Sequence, residues 1–364
     1  RWWDRWLRGE KNEIEAGPPI TIFVQGAGVW RHEEEWPPRR NESRPLYLAA
    51  GQALVEQQPA EPSAATTYAY DPTAGLDSIS FDPWTTVVKE CGIHNGDDVR
   101  SLCFTTPPLS DDWDLTGEAR VELPVRASAA GLNFVAKLCD VDADGYSRLL
   151  TIGWCRDTAQ NPSEAHLVVI PLRATSHLFR KGRRLRVGIA LADFPRLWPT
   201  PAAAEIEVKP SADCPARLVA PATPPQRPAL AQPVFPPLGA ALQSSLELES
   251  TQSWTVSRDL AEKRVSLDSR TLARYELERG GTISYGHNYS ALVASNNPAE
   301  ATIDSSSKIR VERPGGSLAI TATSAFRPDA VTIEAIIREN DKVVWRKQWD
   351  CQRGGPGVPV VPDG

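Results

Sequence analysis

The feature that most constrains this chain is a repeated run of short, alternating, β-branched segments set between turn residues. Examples are ITIFV (20–24), ARVELPV (119–125), NFVAKLCDV (133–141), SRLLTIGW (147–154), HLVVIPL (166–172) and RLRVGIAL (184–191). Period-two alternation at this spacing, with no helical pattern between the runs, predicts an antiparallel sandwich or barrel. The pattern resumes at SWTVSRDL (253–260), KRVSLDS (263–269), YSALVA (289–294), SLAITATSAF (317–326), VTIEAII (331–337) and KVVWRKQWD (342–350). Between the two series lies a stretch with eight prolines in residues 215–237. Proline donates no backbone hydrogen bond, so this stretch is expected to be an extended connector and not a central strand or a helix. With 364 residues the chain is long enough for two domains.

The helical exception is the opening, RWWDRWLRGEKN. Trp2, Trp3, Trp6 and Leu7 make one apolar stripe, and Arg1, Asp4, Arg5 and Arg8 fill the other side. Gly9 is placed to end the helix. So short a helix is marginal alone, so its stripe needs a partner surface: this chain's own core or a domain that precedes it. The chain contains no Met. The expectation is therefore a fragment or processed chain whose first helix closes an earlier domain.

Composition narrows function. Apolar residues are 41% and charged residues 24%, as in ordinary globular proteins, and the net charge of −6 gives no electrostatic case for nucleic acid. No apolar run reaches the ~18 residues of a membrane span. No secretory signal is visible, but an absent N-terminus would hide one, so the location is left open with cytoplasmic favoured. The basic run RKGRRLR (180–186) reads as a solvated turn before a strand. The six cysteines (91, 103, 139, 155, 214 and 351) form no CxxC pair, so neither a zinc site nor a dithiol redox motif is expected. Free thiols are the default, with a Cys139–Cys155 disulfide left open.

Candidate motifs are weak. Asp140, Asp142, Asp144 and Gly145 begin a calcium-loop pattern, but position twelve is Thr151 where a bidentate Glu is needed. A tight Asp/Gly hairpin turn is the expectation. Gly315-Gly316-Ser317-Leu318-Ala319 resembles a nucleophile elbow, but it leads into a strand pattern where that elbow needs a helix. The five histidines (32, 94, 166, 177 and 287) show no metal-ligand spacing, and His94 in CGIHNGDD stands out only as part of a polar loop. Neither a catalytic residue, a metal ligand nor a cofactor is expected in this chain. Trp30 and Trp36, flanking RHEEE, are expected to pack on an adjacent domain, as Trp in loops commonly does.

Several ordered strings resemble the C-terminal part of the cocaine esterase / X-Pro dipeptidyl-peptidase (peptidase S15) family of serine hydrolases. RWWDRWLRGEKN is similar to the helix closing that family's α/β-hydrolase domain, and ITIFVQGAGVWRHEEEWPP to the segment after it. YAYDP (68–72), DDVRSLCFTTPPL (97–109), GLNFVAKLCDVDADGYS, ATSHLFRKGRRLRV and IALADFPR follow in family order. The resemblance covers roughly residues 1–222, and residues 253–350 resemble, more weakly, the β-rich extension of a longer subgroup. The chain departs from the family at Gly182-Arg183-Arg184, where the family has Gly-His-Arg, and at Leu132-Asn133-Phe134, where it has Thr-Asp-Phe.

The resemblance implies an all-β chain: a jelly-roll (galactose-binding-like) β-sandwich followed by a second β-rich region. The expected division is a closing helix at 1–18, a jelly roll at 19–222, a Pro-rich linker at 223–240, a β-rich extension at 241–352 and a tail at 353–364. The family's Ser, acid and His all precede the closing helix, so none transfers to this chain. The implied role is to cover and shape the active site of an α/β-hydrolase domain. Trp2, Trp3, Trp6, Leu7, Trp30 and Trp36 would sit at the domain interface, and Phe81 and Trp84 would line the substrate pocket. No nucleic acid or membrane partner is expected, and a homo-oligomer is allowed. The competing readings are a free-standing β-sandwich that binds carbohydrate or protein, and a subunit that assembles with a triad-bearing partner.

Overall fold

The computed structural model describes residues 2–15, 17–60, 64–77, 93–201, 203–226, 230–231, 233–234, 245–277, 280–354 and 358–359. The chain is all-β. Among the described residues its α-helices are α1 (Trp2–Leu7) and a single turn, α2 (Asn95–Asp98). Among the described residues no helix is long and apolar enough to cross a membrane. Two compact units are present. The first comprises residues 1–68, 92–189 and 206–236, and the second residues 69–91, 190–205 and 237–364.

The first unit opens with the hairpin β1 (Ile20–Val24) and β2 (Val29–Glu33). Then come β3 (Glu42–Ala49), β4 (Ala53–Val55), β5 (Thr66–Ala69), β6 (Leu102–Thr105) and β7 (Trp113–Gly117). The middle strands are β8 (Arg120–Ala127), β9 (Asn133–Val141), β10 (Ser147–Arg156) and β11 (His166–Pro171). The last are β12 (Thr175–Phe179), β13 (Arg184–Ala190), β14 (Glu205–Val208) and β15 (Arg217–Ala222). The main sheet runs β10-β9-β13-β6-β4-β3-β15-β8-β14-β5, with β11 also on β8, while β12 and β7 pair separately. Apart from the β9–β10 and β3–β4 pairs, neighbours in this order are not consecutive in sequence, the jelly-roll signature.

Alternation explains the core. In β8, Val121, Leu123, Val125 and Ala127 point inward and are buried, while Arg120 and Arg126 are exposed. β9 is buried on both faces after its first residue, and Phe134, Leu138, Phe179 and Leu185 are fully enclosed. Gly153 of β10 makes this layering possible, because a Cβ there would lie 1.8 Å from the Pro171 carbonyl oxygen.

One expectation fails here. Residues 217–222, which lie in the Pro-rich stretch expected to be no central strand although within the 19–222 bounds expected for the jelly roll, form β15, between β3 and β8. Pro221 is tolerated because β15 meets β8 only through Arg217, Leu218 and Val219, while Pro221 faces Ser43 of β3 alone. The missing N–H therefore breaks no bond to β8.

The second unit is a meander of β16 (Ser245–Asp259), β17 (Arg264–Leu277), β18 (Thr282–Ala294), β19 (Thr302–Arg313), β20 (Gly316–Phe326), β21 (Ala330–Glu339), β22 (Lys342–Gly354) and β23 (Val358–Pro359). Every strand pairs antiparallel with its sequence neighbour. Its core is small and lies at one end of the sheet: Leu76, Phe194, Val265, Leu267, Ala291, Val293, Ala301 and Ile303.

Candidate functional site

The aromatic side chains that the sequence marks as interface residues lie on the surface. Trp2, Trp3, Trp6 and Leu7 are 57%, 68%, 52% and 75% exposed, and α1 has no buried residue. The stripe is therefore not part of this chain's own core. Trp2 and Trp6 pack on each other with ring centroids 5.7 Å apart, and the Arg5 guanidinium lies 5.1 Å over Trp6. Arg5 also pairs with Glu15 at 2.9 Å. Trp30 and Trp36 are exposed as well. The sequence reading missed Phe23 and Val29, which extend the Trp30 surface across the β1–β2 hairpin. Phe23 and Trp30 are register partners and meet edge-on at 5.4 Å.

The hairpin that carries this surface is fixed rigidly. Its Gln25 exchanges backbone hydrogen bonds with β12, receiving one from Leu178 and donating one to Ser176. Gly26 (φ +74°) packs against that strand so closely that a Cβ would come within 2.4 Å of the Leu178 carbonyl oxygen and 2.9 Å of the His177 ring. Below it, buried Glu33 pairs with Arg31 at 2.8 Å and Arg40 at 2.5 Å. The hydrogen bonds from Arg40 to Glu33 hold its guanidinium pKa above the ordinary arginine value. Arg31 also reaches Asp114 and the Thr116 hydroxyl, and Thr116 contacts Ser176 at 2.8 Å. A cavity of about 600 Å³ opens beside this network, lined by Trp113, Arg44, Leu178, Pro224, Pro225 and Leu230 among others. Arg44 stacks over the Trp113 ring at 4.2 Å and pairs with Glu56.

Many of the charged groups elsewhere in this unit are paired within the chain. Arg180, Arg183 and Arg186 of the basic run pair with Asp112, Asp140 and Asp98. Arg180, Lys181 and Gly182 form the exposed turn expected before β13, and ion pairs hold the arginines of the run around it. At 140–145, Asp142 accepts backbone hydrogen bonds from Asp144 and Tyr146, closing a turn around Gly145 (φ +87°). Asp140 instead accepts from His177 (3.1 Å) and Arg183 (2.8 Å). Burial pushes its pKa up, but these two hydrogen bonds overcome that and hold it below the usual carboxylate range.

His94, read as a polar-loop residue, is buried at the start of α2. It lies with Asp98 and Cys139 in a group whose donor atoms are within 4.8 Å of one another. Lys137 is 3.6 Å from Asp97 and Arg186 pairs with Asp98, so the charges there balance without a metal ion. Burial pushes the Cys139 thiol up and the Cys103 thiol up to about 12. Cys139 and Cys155 are free and sit at opposite ends of the β9–β10 pairing, opposite Leu149 and Phe134, which rules out a disulfide between them.

Two histidines meet hydroxyls, His32 with Thr21 at 2.9 Å and His287 with Ser307 at 2.8 Å. Neither pair carries a carboxylate on the other ring nitrogen among the described hydrogen bonds. The described residues therefore bring no Ser, His and acid together. Phe81 and Trp84 lie outside the described residues.

The chain is similar to known proteins over part of its length. The chain is 32% identical over 215 residues to the cocaine esterase of Rhodococcus sp. (strain MB1 Bresler), covering 53% of this chain and 37% of the esterase. Among solved structures it matches an aminopeptidase from the marine sediment archaeon Thaumarchaeota archaeon, at 21% identity and a TM-score of 0.51. That match covers 61% of this chain and 43% of the aminopeptidase, and supports the fold. An α-amino acid ester hydrolase matches at 24% identity and a TM-score of 0.49, covering 61% and 43%. The chain thus spans well under half the length of these relatives. Residues 12–230 match the model of the X-Pro dipeptidyl-peptidase C-terminal non-catalytic domain, and with well over half of its length inside that match the chain belongs to this family.

Proposed function

We propose that this chain is the non-catalytic C-terminal portion of a serine-type hydrolase, packed through its aromatic surface against an α/β-hydrolase domain whose active site it covers. The observation that carries the reading is the contrast between a closely packed sandwich and the large apolar side chains it leaves uncovered. These are Trp2, Trp3, Trp6 and Leu7 on α1, and Phe23, Val29 and Trp30 on the hairpin. Burying one such side chain is worth roughly 1.5–3 kcal/mol, and a surface of this extent marks an interaction site. The Glu33–Arg31–Arg40 network supports the reading because it holds the hairpin rigid, which lowers the entropic cost of docking.

A carbohydrate-binding platform is less favoured. Phe23 and Trp30 meet edge-on, with planes 61° apart, and so present no common flat surface. The parent chemistry in this reading is acyl transfer to a Ser activated by His, with the triad supplied by the hydrolase domain. The domain division 1–18, 19–222, 223–240, 241–352 and 353–364 is part of the same proposal, as is a pocket role for Phe81 and Trp84.

The test is association and turnover with the hydrolase domain encoded alongside this chain. Co-expression should give a stable complex that cleaves a nitrophenyl ester, while this chain alone gives no turnover. Trp3→Asp with Trp30→Asp should weaken the complex at least tenfold. Wild-type affinity in that double variant would overturn the proposal, as would ester cleavage by this chain alone that is lost on substituting one of its serines.

A further inference from the structure

The eight-stranded sheet presents an amphipathic pair of faces whose registers can be read across the strands. One face carries three rows that run from β17 to β22. The first is Ala273, Tyr285, Ile309, Ile320, Ile337 and Trp345; the second is Thr271, His287, Ser307, Ala322, Ala335 and Lys347; the third is Ser269, Tyr289, Ser305, Ser324, Ile333 and Trp349. Lys347 is the one charged side chain in these rows. The opposite face carries Arg274, Arg310 and Arg338 in one row and Lys308 and Arg346 in the next. Ile309, Ile320, Ile333 and Trp345 of the uncharged face are exposed. A sheet with an apolar face needs a second layer to bury it.

We propose that this face is a dimer interface that takes a second copy of the same sheet. The order of residue sizes along each row argues for a second copy. A two-fold axis parallel to the strands, between β19 and β20, reverses the strand order while keeping each row at its own level. The partner's Trp345 then falls over Ala273, the partner's Ile337 over Tyr285, and the partner's Ile320 over Ile309. In the third row the partner's Trp349 falls over Ser269 and the partner's Ile333 over Tyr289. Large side chains thus meet small ones at both ends of both rows, as an isologous contact requires.

The polar residues in the middle suit burial. Ser305 and Ser324 hydrogen-bond each other at 2.8 Å, as do His287 and Ser307, so these groups carry partners into a dry contact. The partner's Lys347 falls over Thr271, whose hydroxyl is buried within its own chain and has no hydrogen-bond partner among the described residues. The area is sufficient. Six strands at ~4.8 Å spacing and three side-chain rows at ~6.8 Å, with the flanking row of Tyr275, Ile283, Val311 and Leu318 over four strands, give roughly 700 Å² per copy. That is the size of a standard stable interface, and aligned sheet packing about 10 Å apart accommodates it.

The experiment is sedimentation equilibrium of the whole chain in a Trp3→Lys background, so that α1 does not contribute. The expected result is a dimer. Ile320→Asp should convert it to monomer with unchanged far-ultraviolet circular dichroism. Ala273→Trp and Trp345→Ala should each weaken the dimer at least tenfold, and the double variant should recover much of the loss, because the large and small positions exchange across the axis. A monomeric chain overturns the proposal, and so does a dimer indifferent to Ile320→Asp. Additive losses in the double variant would also overturn it. Because the readout does not involve the hydrolase domain, it stands or falls separately from the functional reading above.

Discussion

β9 and β20 are both alternating strands in the interior of a sheet, yet they end in different surroundings. In NFVAKLCDV every residue after the first is buried, on both faces. In GSLAITATSAF only Ala319 is buried. Both strands have a neighbour on each side, so edge position does not explain the contrast. What differs is the number of layers: the jelly roll covers β9 above and below, whereas most of the meander is one layer thick. Alternation reports which side chains share a face, and it does not report how many faces are covered.

The contrast predicts unequal mutational costs. Phe134→Ala in β9 should destabilise the jelly roll by about 3–5 kcal/mol, since the ring is fully enclosed and leaves a cavity. Ile320→Ala in β20, measured at concentrations low enough to keep the chain monomeric, should cost less than ~1 kcal/mol. Chemical denaturation followed by separate probes for each unit would measure both. Equal costs would break the comparison, because they would mean that the meander buries its face within one copy.

Within the jelly roll, Glu33→Gln should come next. It leaves Arg31 and Arg40 with a weaker, neutral acceptor at a buried position. Losing hydrogen bonds to a charged group costs roughly 1.5–3 kcal/mol. Hydrogen exchange should localise the loss to the β1–β2 hairpin. Protection lost uniformly across the sandwich would show that the network serves the whole fold and not the docking surface.

The pH dependence sharpens the same point. Asp140 is held below the usual carboxylate range in the folded chain, so its contribution is present above about pH 4, the unfolded value. It is lost as pH falls further, through the folded value. Asp140→Asn should therefore flatten the acid limb of the stability curve and leave the curve near neutral pH lower. An unchanged acid limb would indicate that the His177 and Arg183 contacts add little in solution.

Much of the fold was legible in the sequence because β-branched alternation survives without context. β8, β9, β10 and β13 fall where their strings place them. β3 and β15 were hidden by Pro45 and Pro221, whose tolerance depends on which neighbour each strand edge faces, a fact of pairing and not of composition. The candidate surface was half legible. The Trp2-Trp3-Trp6 stripe shows itself by helical spacing, but Phe23 joins Trp30 only through hairpin register. The His177–Asp140–Arg183 contacts gave no signal, since they join strands whose adjacency the sequence does not encode locally. His94 lies in a string of polar residues and is nevertheless buried at the start of α2, where its backbone N–H bonds to Ser147 of β10.

The smallest expected effect is on α1, and it tests most directly what that helix is for. Its tryptophans are more exposed than Trp30 of the hairpin, and its ion pairs, Arg8–Asp4 and Arg5–Glu15, are surface contacts worth little. Replacing Trp3 by Ala removes few contacts within this chain, so stability should change by no more than ~0.5 kcal/mol. Solution behaviour should change more: with less exposed apolar surface, binding of a hydrophobic dye should fall and solubility should rise. If Trp3→Ala instead destabilises the jelly roll as much as a core truncation does, the helix packs on this chain's own sandwich. The surface left for a hydrolase domain would then shrink to Phe23, Val29, Trp30 and Trp36.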